Sequence, residues 1–274
     1  MSAGIDYEVE YNNRARVPEH PSLIAGWARD AAAYRERCAS RSISYGPGLR
    51  NTIDLFPGDD DDEGPIVVFI HGGYWQALDN SFFSHLAGGL NARGVSVAIP
   101  SYDICPDVTV DQIVQQMRTA SRELARLGRR LVVSGHSAGG HLAACMLATD
   151  WPAFDASLPE DLVMAAYAIS GLFDLGPLVE TSINNALRLD HAAARAVSPL
   201  FWNAPMRGSL DAVVGENESS EYLRQSKSIV EIWGAAGVAT RFGTVANANH
   251  FTAIAPLADP DSEMVARLKE LAGR

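Results

Sequence analysis

The chain is poor in cysteine, poor in basic charge and without a long apolar run. Cys38, Cys105 and Cys145 are the three cysteines in 274 residues, with no C-x-x-C spacing and no metal-type ligands clustered beside them. That pattern argues against a disulfide framework and against a zinc site. Cys145 lies in an apolar stretch and reads as a core thiol. Acidic residues outnumber basic ones, 33 to 22, for a formal net charge of −11. A nucleic-acid partner and adhesion to an anionic membrane are both disfavoured by that balance. No apolar run approaches the ~20 residues that a membrane-spanning helix needs. Residues 1–11 carry neither a basic nor an apolar stretch, unlike a signal peptide, so the expected compartment is cytoplasmic. No internal repeat with a period of about 20–50 residues is visible. With no long linker either, one domain over 1–274 is expected.

What is present is a globular balance, 47% hydrophobic and 20% charged, with enough length for a sizeable core. The organising stretch is Gly135-His136-Ser137-Ala138-Gly139. It follows the apolar run Leu131-Val132-Val133 and opens a small-residue helical run over 140–148. Strand, sharp turn with a serine, then helix is the context of a G-x-S-x-G nucleophile elbow. Such a turn strains the serine backbone and projects its hydroxyl above the sheet edge. The flanking glycines are needed because a Cβ there would strike the neighbouring strand and helix. A Gly/Ser-rich turn is the ordinary alternative, and it does not account for the strand before and the helix after.

Along the chain, residues 21–40 read as a helix capped by Ser22, with Leu23, Ile24, Trp27, Ala31 and Tyr34 at helical spacing. Two readings stay open for this N-terminal segment, 1–40: a helix packed on the body, or a partial cap over a pocket. Residues 41–45 and 51–56 alternate around Gly46-Pro47-Gly48 and predict an antiparallel hairpin. The acidic run 59–63 is expected to be a solvated loop rather than a metal site. Buried strands are expected at 66–70 and 95–100, and further strands at 131–134, 163–169, 210–214 and 240–245. Helices are expected at 109–127, with Gly128 as its stop, at 221–236 and at 264–271, with an irregular helical stretch over 177–205. Strands alternating with helices predict a mostly parallel, doubly wound α/β sheet. Ligands then gather at the carboxyl ends of its strands.

A serine hydroxyl needs a base, and the base needs an orienting acid. In elbow proteins the chain order is serine, then acid, then histidine. Of seven histidines, His250 follows the last strand and fits that order. His71 and His136 belong to glycine motifs and are expected to shape loops. Glu216 and Glu218 follow the strand at 210–214. Glu218 is favoured because the fourth position of a G-x-x-(D/E) turn points back toward the histidine in enzymes built this way, with Asp174 in reserve. Gly72, Gly73 and Ala138 supply unhindered N–H groups for an oxyanion, each donor typically worth about 3–4 kcal/mol. Tyr74, Trp75, Tyr102, Trp202 and Phe251 sit near strand ends and are expected to line an apolar pocket.

At this point the residues resemble a family. His71-Gly72-Gly73-Tyr74-Trp75-Gln76 with Leu78-Asp79, Ser101-Tyr102-Asp103, and the elbow through Gly140-His141-Leu142 are the main carriers. Ser170-Gly171-Leu172-Phe173-Asp174, the segment from Gly215 to Glu218 with that from Glu221 to Ser226, and His250-Phe251 add to them. From about Tyr45 onward the chain is similar to the α/β-hydrolases, in the hormone-sensitive-lipase-like branch with an H-G-G-x-W motif. Within it, the chain looks most like the kynurenine formamidase (arylformamidase) group, which includes plain esterases. The resemblance implies an eight-stranded sheet, no cofactor, no metal, and a triad of Ser137, Glu218 and His250 with an oxyanion hole at Gly72, Gly73 and Ala138. Many members carry aspartate at the acid position, and Phe-Asp rather than Phe-Thr after the histidine. The implied function is serine hydrolysis of small or aromatic carboxylic esters, with N-formylkynurenine hydrolysis as the alternative and a non-catalytic binding protein as the least favoured. The expected partner is a small-molecule ester or amide, with no nucleic acid and no membrane; a homodimer stays open.

Overall fold

A computed structural model describes residues 4–59 and 63–273. The middle of the acidic run, 60–62, and the first three residues of the N-terminal segment lie outside the described residues. The chain builds one eight-stranded sheet in the order β1-β2-β4-β3-β5-β6-β7-β8. Its strands are β1 (Arg41–Ser44), β2 (Thr52–Phe56), β3 (Ile66–Ile70), β4 (Val97–Pro100), β5 (Leu131–His136), β6 (Val163–Ile169), β7 (Ser209–Gly215) and β8 (Ala239–Val245). β3 to β8 are parallel, while β2 runs against β1 and β4, which gives the expected hairpin. Every residue of β3 and β5 is buried, as parallel strands covered on both faces require. The edge strand β1 exposes its polar residues instead.

Two apolar layers cover the sheet. On one face lie the helices Val110–Ala125, Ala138–Leu147 and Ser220–Ala235, packed through Ile113, Met117, Leu142, Ile229 and Trp233. On the other lie His20–Arg37 and Glu263–Leu271, packed through Tyr34, Val265 and Leu268. Each such side chain, once fully buried, contributes roughly 1.5–3 kcal/mol. Val110–Ala125 starts at a capping box, the Thr109 hydroxyl accepting from Gln112 N–H while the Gln112 side chain accepts from Thr109 N–H. Gly128, at φ +75°, follows the end of that helix.

The N-terminal helix departs from expectation. It spans His20–Arg37 with Glu19 at the cap position, and Ser22 is not its cap. Pro21 fits inside the first turn, where a missing N–H costs nothing, so the helix begins ahead of it. The Ser22 hydroxyl donates back to the Glu19 carbonyl. The stretch 177–205 breaks into short turns, 3-10 at Gly176–Glu180 and Pro199–Phe201 and helical at Asn184–Leu187 and His191–Ala196. Arg188, left-handed at φ +53°, closes one of them. Among the described residues, no helix is long and apolar enough to cross a membrane.

Register fixes where the site forms. Ile70 pairs Gly135, His136 pairs Ile169, Ile169 pairs Val213, and Gly215 pairs Val245. The loops after β3, β5, β7 and β8 therefore leave the sheet at one edge.

Candidate active site

Ser137 sits between β5 and the helix Ala138–Leu147 at φ 56° and ψ −117°, a conformation a side chain rarely adopts. Packing holds it there. A Cβ on Gly139 would stand 1.9 Å from the Ile70 carbonyl oxygen of β3, and one on Gly135 would stand 2.2 Å from the Gly139 carbonyl oxygen. The turn can form only with glycine at both places. Ser137 N–H donates to the Ile169 carbonyl at 2.8 Å, which ties the elbow to β6.

His250 and Glu218 meet across two loops. His250 Nδ1–H donates to Glu218 Oε2 at 2.6 Å. The Glu218 side chain is wholly buried, and that of His250 nearly so. Glu218 Oε1 accepts from the Gly215 N–H at 2.8 Å and from the Ser170 hydroxyl. Both oxygens of the carboxylate are thus in use, which a buried charge requires. With Nδ1 carrying its proton toward the carboxylate, Nε2 is the nitrogen left to accept one. Two backbone bonds stitch the acid loop to the base loop, Glu216 N–H to Val245 O at 3.0 Å and Asn217 N–H to Ala248 O at 2.9 Å. The Asn249 side chain shapes the base loop by accepting from Phe251 N–H at 2.9 Å. Glu216 accepts from Asn247 N–H of the loop that carries His250, and Asp174 from Gly176 N–H of its own loop, so neither alternative acid is bonded to the His250 ring.

The two other histidines of the glycine motifs are loop supports. His136 Nε2 donates to the His250 carbonyl at 2.8 Å, and burial, helped by His250, holds its pKa well below the ordinary value. His71 Nδ1 donates to the Gly72 carbonyl at 2.8 Å, and burial pushes its pKa down to about 4. Its ring stacks on Tyr102 at 4.2 Å. Gly73 is at φ +115°, and a Cβ there would lie 2.2 Å from the Ala77 carbonyl oxygen. A Cβ on Gly72 would lie 3.0 Å from the Ser137 Cβ, so this loop runs against the serine. The N–H groups of Gly72, Gly73 and Ala138 have no protein acceptor among the described residues.

Gly72, Gly73, Ser137 and His250 all line one cavity of about 420 Å³. Tyr74 and Phe251 line it as expected. Trp75, Tyr102 and Trp202 do not, which corrects the expectation for those three. Trp75 is fully buried, edge-on to His141 at 5.1 Å, and its φ of +56° belongs to a tight loop turn. Tyr102 is fully buried and donates to the His71 carbonyl at 2.9 Å. The Trp202 indole N–H donates to the Ala196 carbonyl at 2.8 Å. In their place the wall includes Trp27 and Phe83, with rings 5.4 Å apart, and Trp27 lies 6.0 Å from Phe251. Asn13, Arg14 and Ile24 also line the cavity, so the N-terminal segment forms part of its wall. The amphipathic spacing around Trp27 was the available signal for that wall; nothing local marked Asn13, and Ser170 was marked only as part of the segment 170–174 that adds to the resemblance. Among the described residues, no three His, Cys, Asp or Glu side chains converge to hold a metal ion.

An elbow serine, a carboxylate-bound histidine and free loop amides at the carboxyl edge of such a sheet define a hydrolase architecture. The chain belongs to the alpha/beta hydrolase family, whose sequence profile matches residues 67–269. It is 30% identical over 241 residues to the kynurenine formamidase of Danio rerio, covering 85% of this chain and 81% of that protein. A solved structure from Silicibacter sp. TM1040, provisionally named a thioesterase, is similar at 36% identity and a TM-score of 0.85, covering 97% of this chain and 100% of the other. An esterase from Pyrobaculum calidifontis shares the fold at a TM-score of 0.70 and 17% identity, covering 92% of this chain and 91% of the other.

Proposed function

We propose that the chain is a serine hydrolase working through an acyl-enzyme. Ser137 attacks the substrate carbonyl carbon while His250 Nε2 takes its proton. Glu218 holds the imidazole in the required tautomer and offsets the positive charge it gains. The N–H groups of Gly72, Gly73 and Ala138 receive the negative charge that develops on the carbonyl oxygen. His250 then returns the proton to the leaving group, the C–O or C–N bond breaks, and the acyl group remains on Ser137. Water, deprotonated by His250, cleaves that ester and restores the serine. The observation that carries this reading is the 2.6 Å bond from buried Glu218 to a histidine that shares a cavity with a strained serine.

Carboxylic esters of small or aromatic groups suit the cavity, whose aromatic wall of Trp27, Phe83 and Phe251 fits a flat ring. A second reading, hydrolysis of an aryl formamide such as N-formylkynurenine, is favoured by the similarity to kynurenine formamidases. The same wall would hold the aryl amine. The demands on His250 differ, because an amine leaves only after it has been protonated, whereas a phenol leaves readily. Treatment with a fluorophosphonate tests the shared chemistry: one adduct on Ser137 is expected, and unmodified folded protein would overturn the proposal. Side-by-side turnover of p-nitrophenyl acetate and N-formylkynurenine separates the readings. A large preference for the formamide would sink the ester assignment.

A further inference from the structure

Tyr222 stands in the first turn of the helix Ser220–Ala235, fully buried, and the reaction steps give it no part. Its ring lies 4.7 Å from the His250 imidazole, centroid to centroid. Its hydroxyl is 2.6 Å from that of Tyr74 and accepts from Asn13 Nδ2 at 2.9 Å. Asn13 Nδ2 also donates to the Tyr74 hydroxyl at 3.2 Å. Tyr74 in turn donates to the Tyr11 backbone carbonyl. The protons can be counted. Since the Tyr74 proton is committed to Tyr11, Tyr222 must be the donor between the two phenols. The Tyr222 hydroxyl therefore accepts from Asn13 and donates to Tyr74, which leaves it one orientation. A buried network satisfied in this way is rigid.

Three parts of the site meet in that network. Asn13 comes from the N-terminal segment, Tyr74 from the loop that carries Gly72 and Gly73, and Tyr222 from behind His250. Burial raises the Tyr222 phenol well above its ordinary value, and the Asn13 amide that donates to it opposes that rise. It stays protonated at neutral pH. We propose that Tyr222 is a positioning residue for the reaction, holding the His250 imidazole in place relative to the Gly72–Gly73 amides through its bonds to Tyr74 and Asn13. The N-terminal segment then completes the site rather than decorating it. This inference rests on the serine-hydrolase reading.

Tyr222→Phe keeps the ring against His250 and removes only the hydroxyl. The expected result is a kcat for p-nitrophenyl acetate lower by about 10- to 100-fold, with KM within about threefold of wild type. The rate of fluorophosphonate labelling at Ser137 falls in parallel. Asn13→Ala, which leaves the helix Ser220–Ala235 untouched, gives a similar kcat loss, and the double variant is no more than about threefold worse than either single one. Should Tyr222→Phe fail to fold, the Asn13→Ala result alone decides. A purely structural role would lower the melting temperature and leave kcat and labelling rate unchanged, and that outcome overturns the proposal. Fully additive losses overturn it too. A wild-type protein that does not label at Ser137 would overturn the serine-hydrolase reading and the proposal with it, whereas equal labelling of wild type and variant overturns the proposal alone.

Discussion

Replacing Glu218 by glutamine keeps the shape of the site and changes one atom. The carboxylate now accepts on both oxygens, from His250 Nδ1–H on one and from Gly215 N–H and the Ser170 hydroxyl on the other. Glutamine offers one acceptor and one donor. If its oxygen stays with Gly215 and Ser170, its NH2 faces Nδ1. The imidazole must then carry its proton on Nε2, the nitrogen that should take the proton of Ser137. If the amide flips, NH2 meets the Gly215 N–H, and a buried donor left unsatisfied costs about 1–3 kcal/mol. Either way the imidazolium also loses its counter-charge. In the serine-protease triad the equivalent change lowers kcat by about 10⁴, close to 5.5 kcal/mol at 1.36 kcal/mol per decade. We therefore expect Glu218→Gln to lower kcat for p-nitrophenyl acetate by about 10³–10⁴, with KM within a few-fold. Denaturant unfolding of the same preparation checks that the fold is intact. A folded variant with kcat within about tenfold of wild type would refute the role given to Glu218.

Gly73→Ala places a methyl group 2.2 Å from the Ala77 carbonyl at a backbone angle that disfavours alanine, so the loop must shift. Its kcat should fall by about 10²–10³, the loss seen when one oxyanion donor is removed, and wild-type kcat would contradict this. Trp27→Ala opens the aromatic wall. KM for 1-naphthyl acetate should rise by about tenfold with little change in kcat, while methyl acetate is barely affected; equal effects on both esters would argue that Trp27 is not a substrate contact. Burial holds His71 and His141 each down to about 4, whereas an unfolded histidine titrates near 6.5. The unfolded chain therefore binds more protons between those values, so stability is complete above about pH 6.5 and is lost as pH falls toward 4. Together the two should cost roughly 3–4 kcal/mol between pH 7 and pH 5. Urea unfolding at the two pH values measures this, and an unchanged free energy would contradict it.

Much of the frame was legible because its signals are local. β3 and β6 span the expected ranges, since parallel strands covered on both faces must be continuous apolar runs. Val110–Ala125 announced itself by its periodic core face and by Gly128 beyond its end. The elbow glycines were legible for the reason found, contact with strand and helix. That Glu218, and not Glu216 or Asp174, reaches His250 followed from turn position and chain order. The cavity wall was legible only in Tyr74 and Phe251. Nearness to a strand end does not say which side of a loop a ring takes, and the positive φ of Tyr74 and Trp75 sends neighbouring aromatics to different places. The Asn13–Tyr222 bond joins residues 209 apart in sequence, and no local pattern encodes such a meeting.

The central claim is a covalent acyl group on Ser137. Rapid acid quench of the protein with p-nitrophenyl acetate, followed by peptide mass mapping, tests it most directly. The expected result is acetyl on the peptide that carries Ser137, present during turnover, gone when substrate is exhausted, and absent with Ser137→Ala, which turns nothing over. Turnover that continues in Ser137→Ala, or acetyl on another residue that forms and decays at the catalytic rate, would contradict it.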